Sequence, residues 1–249
     1  MRAAADAARA VTLSGFRRGL AVESKRADYD PVTAADRDAE AAIRAVLARM
    51  RPDDGILGEE HGAAPGTSGL QWVLDPIDGT RAFVAGAPTW GTLIAVNEGG
   101  PPVLGCIEQP YVGERFEGGF GAARLIRGER EEPIRTRSVG ALSEAIILTT
   151  FPEVGSEEDG ALFARLAARC LLTRYGLDCY GYALVAAGHV DLVVEAGLAP
   201  YDIQGPMAVV QGAGGIVTAW DGGPAERGGR VIAAGCARIH EAALEVLAG

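Results

Sequence analysis

WVLDPIDGT, residues 72–80, carries a hydrophobic run, Trp72-Val73-Leu74, into two carboxylates, Asp75 and Asp78. The run reads as the end of a buried strand, where two like charges need a reason. Pro76 fixes one torsion and removes an N–H, which favours a sharp turn between the acids. Such a turn would aim both carboxylates into one cavity, with the Ile77 carbonyl between them. Hard divalent cations such as Mg²⁺ take oxygen ligands of this kind, together with water and phosphate oxygens. Gly79 and Thr80 then begin a short helix, and free N–H groups at a helix start attract an anion. The simpler reading makes Asp75 a turn residue and Asp78 a helix cap.

Other stretches repeat the pattern. GEE (58–60) is a second apolar run ending in adjacent acids, Glu59 and Glu60. Asp36 opens a helix, and Asp202 in "YD" stands just before another. One acid at an element boundary is more often a cap or a surface group, whereas several together fit a site that gathers cations.

The wider pattern predicts one domain, 1–249, in two halves. An alanine-rich helix covers about 2–20, and a second covers 33–50. Thr33 is its N-cap, and Ala42, Ile43, Val46, Leu47 and Met50 form its apolar stripe. GILGEE and LQWVLD read as buried strands, and WGTLIAVNEGGPPVLGCIEQP as a hairpin around Gly-Gly-Pro-Pro. The charged stretch 124–140 reads as the connection between an antiparallel half, about 1–135, and an α/β half, about 140–249. In the second half AIILTT, VDLVVE and RVIAAG suit strands. EEDGALFARLAARC, DCYGYALVAAG, IQGPMAVVQGAGG and ARIHEAALEVLAG suit helices, the third ending in a glycine cap. Alternating strands and helices behind an antiparallel half give an α/β (α+β) fold class.

Composition excludes several functions. The 249 residues carry a net charge of −10 with no basic stripe, so nucleic acid is not an expected partner. Four cysteines without C-x-x-C spacing read as reduced thiols of a cytoplasmic protein. The N-terminus lacks the pattern of a secretory signal, and no apolar stretch reaches membrane-spanning length. None of His61, His189 and His240 stands in a nucleophile motif, and His61 reads as a surface residue. With no G-x-S-x-G and no P-loop, acyl transfer and nucleoside triphosphate hydrolysis find no support.

GEE, DPIDGT and the later YD…AGG resemble the signature of the inositol monophosphatase family, Mg²⁺-dependent, lithium-sensitive phosphomonoesterases. The resemblance runs in the same order from Lys25 to Gly215. It implies an α/β/α/β/α layered sandwich, a homodimer and a small phosphorylated metabolite as substrate. It also implies Glu59, Asp75, the Ile77 carbonyl, Asp78 and Asp202 as ligands of two or three Mg²⁺ ions. Thr80 and Asp36 would orient the attacking water, beside Glu59, and the Gly79 and Thr80 N–H groups would cradle phosphate. Lys25 would stand at the entrance, and Glu60 would be a supporting carboxylate.

The substrate is read from departures. The inositol enzymes commonly carry a threonine-asparagine-type pair after DGT, and this chain has Arg81 and Ala82. Tyr201 replaces a tryptophan, and GLDCYGYA (176–183) replaces a small G-T-A stretch. Asp178 in that stretch and Glu195, with Arg81, become the candidate substrate contacts, Asp178 having a helix N-cap as its simpler role. Two acids beside the leaving group suit a cationic alcohol. DGTRAF, DCYGYAL and GL.PYD together resemble the histidinol-phosphate phosphatases of this superfamily. Inositol 1-phosphate, a broader range of small phosphate esters, or metal binding without catalysis are the alternatives. IQGPM after Asp202 departs from the small or aliphatic residues the family leads one to expect, with Pro206 expected in a first helical turn.

Overall fold

The computed structural model describes residues 1–18, 22–24 and 31–248; Lys25 lies outside them. Helix α1 (Arg2–Gly15) is shorter than the expected 2–20. Strands β1 (Val22–Ser24) and β2 (Pro31–Thr33) form a small antiparallel pair leading into helix α2 (Ala34–Met50). Thr33 caps α2 as expected, with Asp36 reaching back to the Thr33 N–H. The apolar stripe differs: Met50 is exposed, and the inward face is Ala35, Ala39, Ile43 and Leu47 together with the acids Asp36 and Glu40.

An eight-stranded sheet follows. It contains β3 (Gly55–Gly58), β4 (Gly62–Ala64), β5 (Gln71–Asp78), β6 (Gly91–Asn97), β7 (Pro102–Gln109), β8 (Glu114–Gly119), β9 (Ala122–Arg127) and β10 (Arg130–Pro133). It is antiparallel except for the pair β3–β5. The stretch 124–140 is therefore only partly a connection: its first half pairs as β9 and β10, an edge hairpin on which Arg124 and Arg127 form ion pairs with Glu131 and Glu132. Helix α3 (Thr80–Ala85) interrupts the sheet's path after β5.

The second sheet holds β11 (Ile146–Thr149), β12 (Leu172–Tyr175), β13 (Leu192–Leu198), β14 (Ile216–Ala219) and β15 (Gly229–Ala234), in the order β12-β11-β13-β15-β14. Parallel and antiparallel pairs mix in it. Around it lie helices α4 (Glu157–Ala167), α5 (Asp178–Ala186), α6 (Pro200–Gly212) and α7 (Ala237–Leu247).

Three apolar clusters stack these elements into the expected α/β/α/β/α sandwich. Ala5, Ala8, Ile43, Leu47, Trp72 and Ile94 join α1 and α2 to the outer face of the large sheet. Leu93, Ile107, Phe116, Tyr182, Met207 and Val193 place α5 and α6 between the sheets. Phe163, Leu166, Ile239 and Val246 pack α4 and α7 on the far face. Strand β6 shows why the pattern reads as a continuous apolar run: it is buried along its length, Leu93 facing α5 and α6 while Ile94 and Val96 face α1 and α2.

Candidate active site

Strand β5 does not end at Leu74. It continues to Asp78, and its register against β6 slips once: Asp75 pairs with Leu93, yet Asp78 pairs with Gly91. Three steps on β5 thus match two on β6, which is a β-bulge. In a regular strand residues three apart point to opposite faces, so the extra residue is what returns both acids to one side. The sharp turn expected at Pro76 is this bulge, and its geometry is locally held. The Pro76 carbonyl accepts from Thr92 Oγ1 at 2.7 Å, and Asp75 Oδ1 accepts from the Ile77 N–H at 3.0 Å.

Asp75, Asp78 and Asp202 each offer an oxygen within 4.8 Å of the others'. They lie in one cavity of about 700 Å³ with Glu59, Ile77, Gly79, Thr80, Arg81, Asp178 and Glu195. Burial pushes the Asp75 carboxyl well above its usual range, and Glu59, Asp78 and Asp202 push it further. Asp78 is likewise raised, by burial and then by Asp178 and Asp202. Such a cluster of oxygen donors, repelling itself without a cation, fits a hard divalent ion such as Mg²⁺.

The helix-cap reading and the site reading turn out to coexist for two acids. Asp36 is the third residue of α2; its Oδ2 accepts from the Thr33 N–H (2.8 Å) and hydroxyl (2.6 Å). Its Oδ1 accepts from Thr80 Oγ1 at 3.4 Å, and that hydroxyl also lies 3.1 Å from the Ile77 carbonyl. Asp202 lies within the first turn of α6 rather than before it, and its Oδ2 accepts from the Ala199 N–H at 2.7 Å. Asp78 caps no helix start of its own: Gly79, at φ +81°, is the N-cap of α3, and Asp78 Oδ2 accepts from the Cys179 N–H at 2.6 Å. Gly79 cannot be replaced easily, because a Cβ there would lie 2.7 Å from Asp178 Cγ.

Asp178 is the first residue of α5 and lies in the left-handed region, φ +47°. The N-cap of α5 is Leu177, not Asp178 as expected, and Asp178 Oδ2 accepts from Thr89 Oγ1 at 3.1 Å. Burial raises its carboxyl, opposed by Thr89 and by the Arg81 charge. Glu195 is buried, accepting from the Thr150 N–H (2.7 Å), Thr150 Oγ1 (2.9 Å) and Thr149 Oγ1 (3.1 Å). Burial still pushes it up to about 7, with Asp178 adding to the rise. Arg81 is exposed and stacks over Phe151, 4.8 Å from the ring centre.

The IQGPM stretch holds α6 against the large sheet. Gln204 is buried, accepting from Asn97 Nδ2 (2.9 Å) and donating to the Glu226 carbonyl (3.0 Å). Gly205 lets the helix backbone press on β7, where a Cβ on Gly105 would stand 2.4 Å from the Gly205 carbonyl oxygen. Pro206 is in the helix interior, not its first turn; the first-turn proline is Pro200. Pro206 offers no N–H to the carbonyl of Asp202, four residues back.

Three residues escaped the sequence reading. Tyr182 lines the cavity, and its buried hydroxyl has no hydrogen-bond partner among the described residues. Phe151 carries Arg81. Glu40 is fully buried one turn after Asp36, and an acid inside an otherwise apolar helix stripe was the signal for it. His61 is exposed, its ring Nε2 3.0 Å from the Arg37 carbonyl. The Glu60 N–H is bound by Glu40. The four cysteines are free, and among the described residues no helix is long and apolar enough to cross a membrane.

The sequence model of the inositol monophosphatase family matches residues 1–248. A bifunctional phosphatase, IMPL2, of the Arabidopsis thaliana chloroplast is 41% identical, covering 98% of this chain and 73% of the relative. A histidinol-phosphatase of Streptomyces coelicolor is 39% identical, covering 98% and 93%. Among solved structures, an inositol monophosphatase from Zymomonas mobilis superposes with a TM-score of 0.87 at 43% identity, covering 99% and 95%.

Proposed function

From the premise that the chain belongs to the inositol monophosphatase family, and is therefore a phosphatase of small phosphorylated substrates, we propose that it hydrolyses histidinol phosphate to histidinol and phosphate with Mg²⁺. The observation that carries the substrate is the pair Asp178 and Glu195 in the same cavity wall as the acidic cluster. A second phosphate would be repelled there, whereas an ammonium or imidazolium would gain charge-assisted hydrogen bonds. The histidinol-phosphatase relative supports the same reading.

Glu59, Asp75, the Ile77 carbonyl, Asp78 and Asp202 would hold Mg²⁺. Bound there, the ions would neutralise the acids and the phosphate and lower the pKa of the attacking water. Thr80 Oγ1, donating to Asp36 Oδ1, keeps a lone pair for that water and a route for its proton towards Asp36. The N–H groups of Gly79 and Thr80, at the open start of α3, would receive the phosphate oxygens. Arg81, held on Phe151, stands at the rim. Lithium sensitivity and a homodimer belong to the same reading.

Inositol 1-phosphate is the second reading, favoured by the 43% identity to an inositol monophosphatase. Phosphate release from histidinol phosphate, inositol 1-phosphate and glycerol 2-phosphate, with and without Mg²⁺, separates them. The proposal expects Mg²⁺-dependent turnover with the highest kcat/KM on histidinol phosphate. A higher value on inositol 1-phosphate would replace the substrate, and absence of turnover on all three would leave a binding protein.

A further inference from the structure

We propose that Glu40 is a positioning residue that sets the carboxylate of Glu59. Its side chain is fully buried on α2, one turn from Asp36. Its Oε2 accepts from the Glu60 N–H at 2.7 Å, and Oε1 accepts from the His61 N–H at 3.3 Å and from Arg44 Nε at 2.7 Å. Two successive backbone N–H groups make a concavity for an anion, and here the helix's own carboxylate fills it. Arg44 also donates to the Gly62 carbonyl, so α2 grips both sides of the turn 59–62. Immediately before this turn the Glu59 N–H donates to the Leu74 carbonyl of β5, next to Asp75. The Glu59 backbone is thus held between β5 and the turn that Glu40 binds. Gly58 leaves room for this: a Cβ there would fall 2.0 Å from Glu40 Oε1. One face of helix α2 therefore supports two residues of the cavity wall, Thr80 through Asp36 and Glu59 through Glu40.

The inference rests on Glu59 being a Mg²⁺ ligand, and the test separates the two. Mg²⁺ binding is titrated calorimetrically on the full chain for wild type, Glu40→Gln, Glu59→Gln and the double variant, with metal-free melting temperatures alongside. Gln keeps the shape but puts an amide NH₂ where a donor must be met. Loss of a group that orients a metal ligand typically costs about 10–100-fold in metal affinity. Glu40→Gln should weaken Mg²⁺ binding in this range, and in the Glu59→Gln background it should weaken it no further. Equal weakening in both backgrounds, or a lower melting temperature with unchanged affinity, makes Glu40 merely structural and overturns the inference. Unchanged affinity in Glu59→Gln alone overturns the ligand reading instead. Should Glu40→Gln not fold, Arg44→Gln, which loosens the same carboxylate from a partly exposed position, is carried through the same cycle. It is expected to show the same non-additivity with a smaller loss, and additivity would again reject the proposal.

Discussion

Thr80 Oγ1 lies 3.4 Å from Asp36 Oδ1, joining the start of α3 to a carboxylate whose other oxygen caps α2. One oxygen of Asp36 therefore holds the helix while the other meets the Thr80 hydroxyl. Thr80→Ala removes the hydroxyl without touching the cap. We expect kcat to fall roughly 10²–10⁴-fold, the usual share of a positioned proton-transfer group, with KM and melting temperature little changed. Steady-state kinetics on the wild-type substrate check this; a variant with wild-type kcat removes Thr80 from the mechanism.

Asp78→Asn should abolish turnover. Asp78 Oδ2 accepts from the Cys179 N–H, which an amide oxygen can still do, so the fold should persist. Its carboxyl is raised by burial and by Asp178 and Asp202, so losing its charge should leave the metal-free melting temperature unchanged or higher. In wild type, Mg²⁺ at about 100 times Kd should stabilise by about 2.7 kcal/mol, and that gain should vanish in the variant. Chelator should stop wild-type turnover, lithium should inhibit it, and calcium should occupy the site without supporting the in-line geometry. Full activity in chelator contradicts the Mg²⁺ assignment.

How much of this was legible beforehand is clearest at β5. The residues of DPIDGT announced an acidic site, and local pattern placed the helices and the apolar strands β3, β5, β6, β7, β11, β13 and β15, whereas β8, β12 and β14 went unread and β9 and β10 lay in the stretch read as a connection. What periodicity could not show was the bulge, because Asp75 and Asp78 share a side only through their register against β6. Glu40 was hidden for a related reason: its partners, the N–H groups of Glu60 and His61, are backbone atoms some twenty residues away, with no side-chain pattern of their own. Pro206 was misplaced because Pro200 already starts the helix, and only packing between the sheets shows why an interior proline and Gly205 are tolerated.

That packing is itself testable. A Cβ at Gly118 would lie 2.4 Å from Val209 Cα and 2.5 Å from the Ala208 carbonyl oxygen, both backbone atoms of α6. Gly118→Ala must push α6 off the large sheet, and we expect a loss of about 1–3 kcal/mol. Denaturant unfolding measures it; a neutral substitution would mean that α6 is not seated on β8.

Glu195 supplies a pH signature. Burial raises its carboxyl from the usual 4.5 to about 7, with Asp178 and Tyr182 facing it from α5 and the Thr149 and Thr150 groups opposing the rise. Between these values the folded chain holds a proton the unfolded chain has lost. Glu195 therefore costs stability progressively as pH rises from about 4.5 to 7, and the full cost, roughly 3 kcal/mol, persists above. Glu195→Gln should thus gain on wild type across that window in metal-free melting curves. A difference that does not vary with pH contradicts the assignment.

The central claim is that the acidic wall selects a cationic alcohol, and kcat/KM for two substrates in Asp178→Asn tests it most directly. Asparagine tolerates the left-handed backbone at this position, so the variant removes charge without adding strain. Losing a charged partner from a desolvated site costs about 2–5 kcal/mol. Histidinol phosphate should lose that much in kcat/KM, and glycerol 2-phosphate, which has no ammonium, should retain most of its rate. Glu195→Gln should show the same split. An equal fall for both substrates, or a fall for neither, would contradict the account.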